Sequence, residues 1–387
     1  MSTRRDFLRA AAGATAALSG APFVLRGRFQ LFGWSPVEYS ARAIRLMQEA
    51  VVIDMLAPWT LHFAQQSKWF ANPESFTDAD FTPYLDSGIN VWHIAVGFGG
   101  PDAHQTGLAY LGGWNSFLAG NDHRLLRVDS AGDFDRIKRS GKVGVLLGVQ
   151  NADHFRRPED VDLFHGLGQR VSQLTYNSRN WIGSGSTERR DDGISDFGAT
   201  IIARMNKVGM AVDTGHCGDR TTLDAFEISK APVLVTHSNV RALNPGHPRC
   251  KPDEVIQAVG KAGSVMGITG VRNFVKNSEP TTVEDYLNQF DYVKQMIGSE
   301  HLGIGSDIDL NGYDDMPPEA YKRLKAGYKD SYAFREKIDI EGIDHPKRMF
   351  DVTEGLIRRK YTDAEILGIL GGNFRRVLAE IWKGMPA

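Results

Sequence analysis

Two histidines close short apolar runs of strand character: Gly209-Met-Ala-Val-Asp-Thr-Gly-His216 and Pro232-Val-Leu-Val-Thr-His-Ser-Asn239, which carries His237. An ionisable residue just past a buried β-run sits at a strand's carboxyl end, the active face of a parallel α/β barrel. The stretch Thr221–Ser229 between them reads as one short amphipathic helix. Strand, helix and strand with a histidine at each strand top bring two imidazoles side by side, as a divalent-metal site requires. Either histidine alone is more often a structural strand cap. The pair at equivalent positions of successive units points to a site.

The elements that must position them recur along the chain. Eight strand-length apolar runs are legible: Ala50–Met55, Asn90–Gly97, Val143–Val149, Val171–Tyr176, Met210–Asp213, Val233–Thr236, Val265–Thr269 and Leu302–Ser306. They are rich in Val, Ile and Leu without strict alternation, which predicts parallel strands buried on both faces. Helical spacing appears between them over Asp196–Val208, Pro252–Lys261 and Val283–Ile297, and at the N-terminal side over Ser35–Met47. Eight alternating units predict a (β/α)8 TIM-type barrel, closed by two or three C-terminal helices over Met349–Lys383. Two polar stretches at strand tops, Asn177–Ile194 and Ile308–Pro346, are expected to shape a pocket.

With 387 residues, 42% hydrophobic and 24% charged, and a net charge of −2, the composition is that of a globular chain. The near-neutral balance gives no electrostatic reason to bind nucleic acid or an anionic membrane surface. No run of ~20 apolar residues follows the leader, so no internal span is expected. The leader itself, Thr3-Arg4-Arg5-Asp6-Phe7-Leu8-Arg9 followed by an alanine-rich stretch to Leu25, is a twin-arginine pattern. It predicts a signal segment over residues 1–25 and export to the periplasm, cleaved or kept as an N-terminal anchor, ahead of one domain over residues 35–387. Two cysteines, Cys217 and Cys250, could pair but cannot form a disulfide framework. Cys217, next to His216, is a candidate thiolate ligand or a small buried hydrophobe. No dinucleotide fingerprint, P-loop or serine-hydrolase elbow occurs.

The strand tops carry the motifs Leu174-Thr-Tyr-Asn177, Met205-Asn-Lys-Val-Gly-Met210, Val212-Asp-Thr-Gly-His216, Ala231-Pro-Val-Leu-Val-Thr-His-Ser-Asn239, Arg241-Ala-Leu, Gly303-Ile-Gly-Ser-Asp307 and Gly371-Gly-Asn-Phe-Arg-Arg-Val377. Together, over about Val51 to Val377, they resemble those of the membrane (renal) dipeptidases. The resemblance implies a dizinc peptidase barrel, often dimeric, in which His216 and His237 bind a metal. It further implies that Arg241 grips a substrate carboxylate, though its place above the sixth strand would equally let it tie down the Asn177–Ile194 loop through Asp191 or Asp192, and that Asp307 shuttles a proton between attacking water and leaving amine. Tyr176 stands where some members have a histidine that stabilises the intermediate, and Asn177 beside it is expected to contact substrate.

The chain also departs from the family. Leu56 and Pro58 replace the first-strand His-x-Asp pair, and Gln150 replaces the bridging glutamate. Without those carboxylates a second cation would be repelled by the first. The expectation is therefore at most one divalent ion, zinc first, or none. His216 and His237 are the expected ligands, with Gln150, Asp307 or water completing the shell and His93 and His154 as weaker recruits. The function expected is an exported metal-dependent hydrolase acting on a dipeptide or small peptide-like substrate. The alternative is a non-hydrolytic relative that binds or tailors a peptide-derived small molecule with Asp307 and Tyr176.

Overall fold

The computed structural model describes residues 27–32 and 35–384, so the signal segment expected over residues 1–25 lies outside the described residues. Eight parallel strands form the centre: β1 (Ile53–Asp54), β2 (Val91–Val96), β3 (Val143–Val149), β4 (Gln169–Gln173), β5 (Ala211–Asp213), β6 (Val233–Val240), β7 (Met266–Ile268) and β8 (Leu302–Ile304). They lie in sequence order around the sheet, with every neighbouring pair parallel. Between β1 and β8 two bonds bridge the seam: the Met55 N–H donates to the Ile304 carbonyl at 2.8 Å, and the Asp307 N–H to the Leu56 carbonyl at 2.7 Å. The result is the expected TIM-type barrel.

The strands are buried on both faces, as their uninterrupted apolar runs require. Glycine in β3 makes room for a site residue: a Cβ at Gly148 would lie 2.2 Å from His93 Nε2, so only glycine lets that imidazole point into the barrel. The helices Asp196–Val208 and Val283–Ile297 begin and end where the spacing predicts. The first is capped by Ser195, whose hydroxyl accepts from the Gly198 N–H at 2.9 Å, and ends at Gly209 in the left-handed region, φ +77°. C-terminal helices over Arg348–Arg358, Asp363–Leu367 and Asn373–Ile381 close the barrel. Among the described residues no helix is long and apolar enough to cross a membrane.

Several boundaries differ from the sequence expectation, β4 for instance running over Gln169–Gln173 rather than Val171–Tyr176. The N-terminal stretch from Ser35 is a short strand, Glu38–Ser40, pairing antiparallel with Arg28–Gln30, and the helix starts only at Ala41. Ser40 explains the late start, since its hydroxyl accepts from the Ala43 N–H at 3.1 Å as an N-cap. β6 is also longer than its apolar run, reaching Val240, so His237 lies within the strand rather than past its end. Cys250–Lys251 pairs alongside Asn239–Val240 and prolongs the sheet there.

An aromatic cluster supports one side of the mouth. Trp59 stacks on Tyr84 with ring centroids 4.0 Å apart, and Trp92, Trp114 and Phe117 pack edge-on around it. The Tyr84 hydroxyl donates to the Trp59 carbonyl at 2.6 Å, and Asp309 accepts from the Leu61 N–H at 2.7 Å. The loop after β1 is thereby fixed between the helical layer and the loop after β8.

Candidate active site

Over β5 and β6, hydrogen bonds assign the histidine tautomers. The Asp213 carboxylate accepts from the Thr236 hydroxyl at 2.7 Å, so that hydroxyl must accept from His237 Nδ1, 2.9 Å away. Proton and lone-pair accounting then leaves His237 Nε2 as a bare lone pair, buried and without a hydrogen-bond partner. His216 is fixed in the same sense by Asn177, whose amide oxygen lies 2.7 Å from Nδ1. The two rings stand 4.9 Å apart, centroid to centroid. Burial, reinforced by the nearby Arg249 guanidinium, holds both imidazoles neutral, well below the ordinary histidine range.

Asp307 occupies the opposite seam. Its backbone is left-handed, φ +58°, a conformation aspartate tolerates better than most residues. Neighbouring bonds impose it. Ser306 donates from its backbone N–H and hydroxyl to the Asp54 carboxylate, at 2.8 and 2.6 Å. Arg348 donates to the carbonyls of Asp309 and Ile308, at 2.6 and 2.9 Å, and lies 3.4 Å from Asp54 Oδ2. Buried Asp54 and Arg348 thus clamp the chain on both sides of Asp307. Burial lifts the Asp307 carboxyl to about 7; Arg249 pulls it down, Asp54 pushes it up, and a bond to Tyr313 lowers it again.

A cavity of about 230 Å³ opens above Asp307. Its walls come from the loop after β1 (Pro58–Leu61), the tops of β2 and β3 (including Gln150), Tyr176, and the long segment after β8. That segment folds over the mouth with the helix Pro318–Ala326 and places Tyr313, Tyr328, Tyr332 and Phe334 against the cavity. Tyr176 stacks on His216 at 4.1 Å between centroids, and its hydroxyl meets that of Tyr328 at 2.8 Å. Burial raises the Tyr176 phenol well above its ordinary value, so it stays protonated and able to donate.

The expected site residues divide into those at the mouth and those elsewhere. Asp307, Tyr176 and Gln150 line the cavity, with the Gln150 amide donating to the Ala95 carbonyl at 3.0 Å. His216 and His237 lie together beneath it. Asn177 is not among the residues lining this cavity; its amide oxygen accepts from His216 Nδ1 at 2.7 Å and from the Tyr332 hydroxyl at 3.4 Å. Arg241 does not face the pocket either. Its guanidinium forms a two-pronged pair with Asp219, 2.8 Å at Nη2, and donates to the Cys250 carbonyl at 2.5 Å. Nor does it tie down the Asn177–Ile194 loop, where Asp191 accepts from the Arg220 N–H and Asp192 pairs with Arg179.

The recruits fare differently. His154 is saturated by the Asn151 carbonyl and Gln169, both at 3.0 Å, and is no ligand. His93 sends Nδ1 to the Met55 carbonyl at 2.5 Å and leaves Nε2 without a partner. Cys217 and Cys250 are free and buried, their thiols pushed up to about 11 and about 12 by burial, which makes them small apolar residues.

Arg249 is the residue sequence reasoning missed. Fully buried, it donates to the carbonyls of Gly215 and His237 and to the Tyr332 hydroxyl, the last two at 3.4 and 3.2 Å. It therefore joins the two histidine segments to the aromatic lid. The available signal was the turn Gly246-His-Pro-Arg249 returning to the sheet just after β6.

Comparison with known proteins agrees with this geometry. A family model described as membrane dipeptidase (Peptidase family M19) matches residues 40–325. Dipeptidase verJ of Clonostachys rogersoniana is 32% identical over 67% of the chain, and dipeptidase tcpJ of Claviceps purpurea (strain 20.1) 29% over 67%. The matched stretch spans 66% and 56% of those two relatives. An amidohydrolase from Pseudomonas aeruginosa superposes with a TM-score of 0.74 at 28% identity, covering 88% of the chain and 99% of that structure.

Proposed function

Since the chain belongs to the membrane dipeptidase family, we propose that it hydrolyses a small peptide-like substrate, with a metal site reduced to at most one divalent ion and Asp307 as the proton-transferring group. The observation that carries this reading is the Asp307 carboxyl, held in the cavity wall with a left-handed backbone by the clamp of Asp54, Ser306 and Arg348.

Metallopeptidases of the family use a metal, usually zinc. The residues present do not fit two ions: Leu56 and Pro58 offer no donor atom and Gln150 no charge. They fit one ion better, because the Nδ1 contacts of His216 and His237 leave Nε2 of each as the lone-pair nitrogen, that of His237 buried without a partner, and the Gln150 amide nitrogen, not its oxygen, is taken by Ala95. A bound divalent ion would polarise the scissile carbonyl and acidify water. The chain's own groups supply the remainder. The Asp307 carboxylate takes a proton from water as the C–O bond forms, and returns it to the amine nitrogen as the C–N bond breaks. The Tyr176 O–H donates to the developing oxyanion, and the aromatic lid excludes bulk water.

The Asp307 carboxyl is raised rather than lowered, so the base form dominates only above its folded value. Plotted against pH, kcat/KM for a hydrolysed dipeptide should rise through a limb near 7, since Asp307 titrates to about 7. Asp307→Asn should remove that limb and lower kcat about 10²–10⁴-fold. Turnover unchanged by the substitution contradicts the assignment.

A second reading is favoured by one observation: among the described residues no three His, Cys, Asp or Glu side chains gather as a ligand set. On that reading Asp307 and Tyr176 move protons on a bound peptide-derived molecule without metal, and chelator-stripped protein keeps its full activity. Export to the periplasm through the Arg4-Arg5 pattern belongs to the same proposal, supported by the leader's residues.

A further inference from the structure

One buried cation has no part in the proton transfer assigned to Asp307. Lys251, 1% exposed, lies on the two-residue strand Cys250–Lys251 that runs parallel beside Asn239–Val240. Strand alternation sends Cys250 one way, where its thiol meets the Phe274 carbonyl at 3.2 Å, and Arg249 and Lys251 the other. The Lys251 ammonium donates to the Cys217 carbonyl at 2.7 Å and to the Thr222 hydroxyl at 3.2 Å. Among the described residues it makes no ion pair: Asp219, an acid whose charge reaches it, is taken by the two prongs of Arg241. A buried cation without a counter-charge weakens a fold. Packing alone therefore does not explain it.

What the ammonium reaches is the turn that carries His216, closed by the Cys217 N–H donating to the Thr214 carbonyl at 3.1 Å. Arg249 donates to the Gly215 carbonyl and Lys251 to that of Cys217, so two cations hold the peptide units on either side of His216. Thr222 extends the grip by one residue, since its hydroxyl donates to the Gly218 carbonyl at 2.7 Å. The backbone of His216 itself is also taken, its N–H by the Gln173 amide oxygen and its carbonyl by the Ser186 N–H at 2.7 Å. A turn fixed in this way holds the imidazole against Asn177, whose amide oxygen lies 2.7 Å from Nδ1. That contact sets the tautomer.

We infer that Lys251 is a positioning residue for His216. By holding the Cys217 carbonyl it keeps Nδ1 on Asn177, and so keeps Nε2 as the lone pair available to a metal ion. The inference rests on the reading of His216 as a metal-holding imidazole and adds the group that fixes its orientation. Arg249 does not replace it, because its bond ends on the Gly215 side of the turn.

Nitrogen NMR of the metal-free full chain, labelled at histidine, tests this. In the unmodified chain His216 should show one tautomer, protonated at Nδ1. In Lys251→Met the Cys217 carbonyl loses its donor, and His216 should show both tautomers in exchange. His237 and His154, held by Thr236 and by Asn151 and Gln169, should keep their signals. Cobalt(II) affinity of the same variant, titrated against a competing chelator, should fall about tenfold. Thr222→Val, which removes only the hydroxyl beside the ammonium, should shift His216 the same way by less, and it decides the question if Lys251→Met does not fold. Unchanged His216 signals in Lys251→Met, or in Thr222→Val where only that variant folds, overturn the inference. So do equal shifts at His237 and His154, the sign of a general loosening, and cobalt affinity equal to that of the unmodified chain. Because tautomers are read without metal or substrate, a chain that binds no cobalt or hydrolyses no peptide fails those readings and leaves the tautomer test intact.

Discussion

At the tops of β5 and β6 the imidazoles of His216 and His237 are each held by a neighbouring side chain, Asn177 and the Asp213–Thr236 relay, which leaves both Nε2 atoms free. At the tops of β1 and β3 stand Leu56, Pro58 and Gln150, none of which carries a charge, and the same side of the mouth packs against Trp59 and its aromatic neighbours. One half of the mouth thus keeps a tuned pair of nitrogen donors, while the other has become an apolar wall. The difference separates orientation from charge. Hydrogen bonds aim the histidines on one side, while Leu56, Pro58 and Gln150 on the other bring no negative charge to offset a cation.

The comparison breaks first at His237. If the polar half still holds an ion, His237→Ala removes one of two imidazole donors and should abolish both metal retention and turnover, read by elemental analysis and a peptide-hydrolysis assay. Full turnover in that variant would leave the histidines as structural residues. A smaller effect is expected at Arg249, which joins the polar half to the lid. Arg249→Met leaves the Gly215 and His237 carbonyls short of a donor, costing about 1–3 kcal/mol in urea unfolding. Unchanged stability there would show that the lid and the histidine segments are independent. The smallest effect is expected at Arg241→Lys. Its partly exposed pair with Asp219 contributes less than about 1 kcal/mol, and KM should not move, whereas a rise in KM would return Arg241 to the pocket.

The barrel was legible because parallel strands buried on both faces leave unbroken apolar runs, and each of the eight runs overlaps one of β1 to β8. Asp307 and the two histidines were legible because they follow or end such runs. Where the Arg241 guanidinium turns was not legible: sequence proximity to His237 says which loop a residue is on, not which way a long side chain points. Asp219, at the first turn of the helix after β5, captured it. Arg249 and the tyrosine lid were illegible because they depend on contacts across the mouth, between Tyr332 and residues 83 and 155 positions away. No local periodicity encodes such contacts.

The difference between the two halves of the mouth is tested most directly by counting metal. Elemental analysis of the full chain, purified without chelator from cells that make it, should give at most one tightly held divalent ion per chain. That follows because Leu56, Pro58 and Gln150 supply neither a second ligand set nor a bridging charge. Two tightly held ions per chain would contradict the account and show that other side chains, with His93 Nε2 foremost, rebuild the missing half.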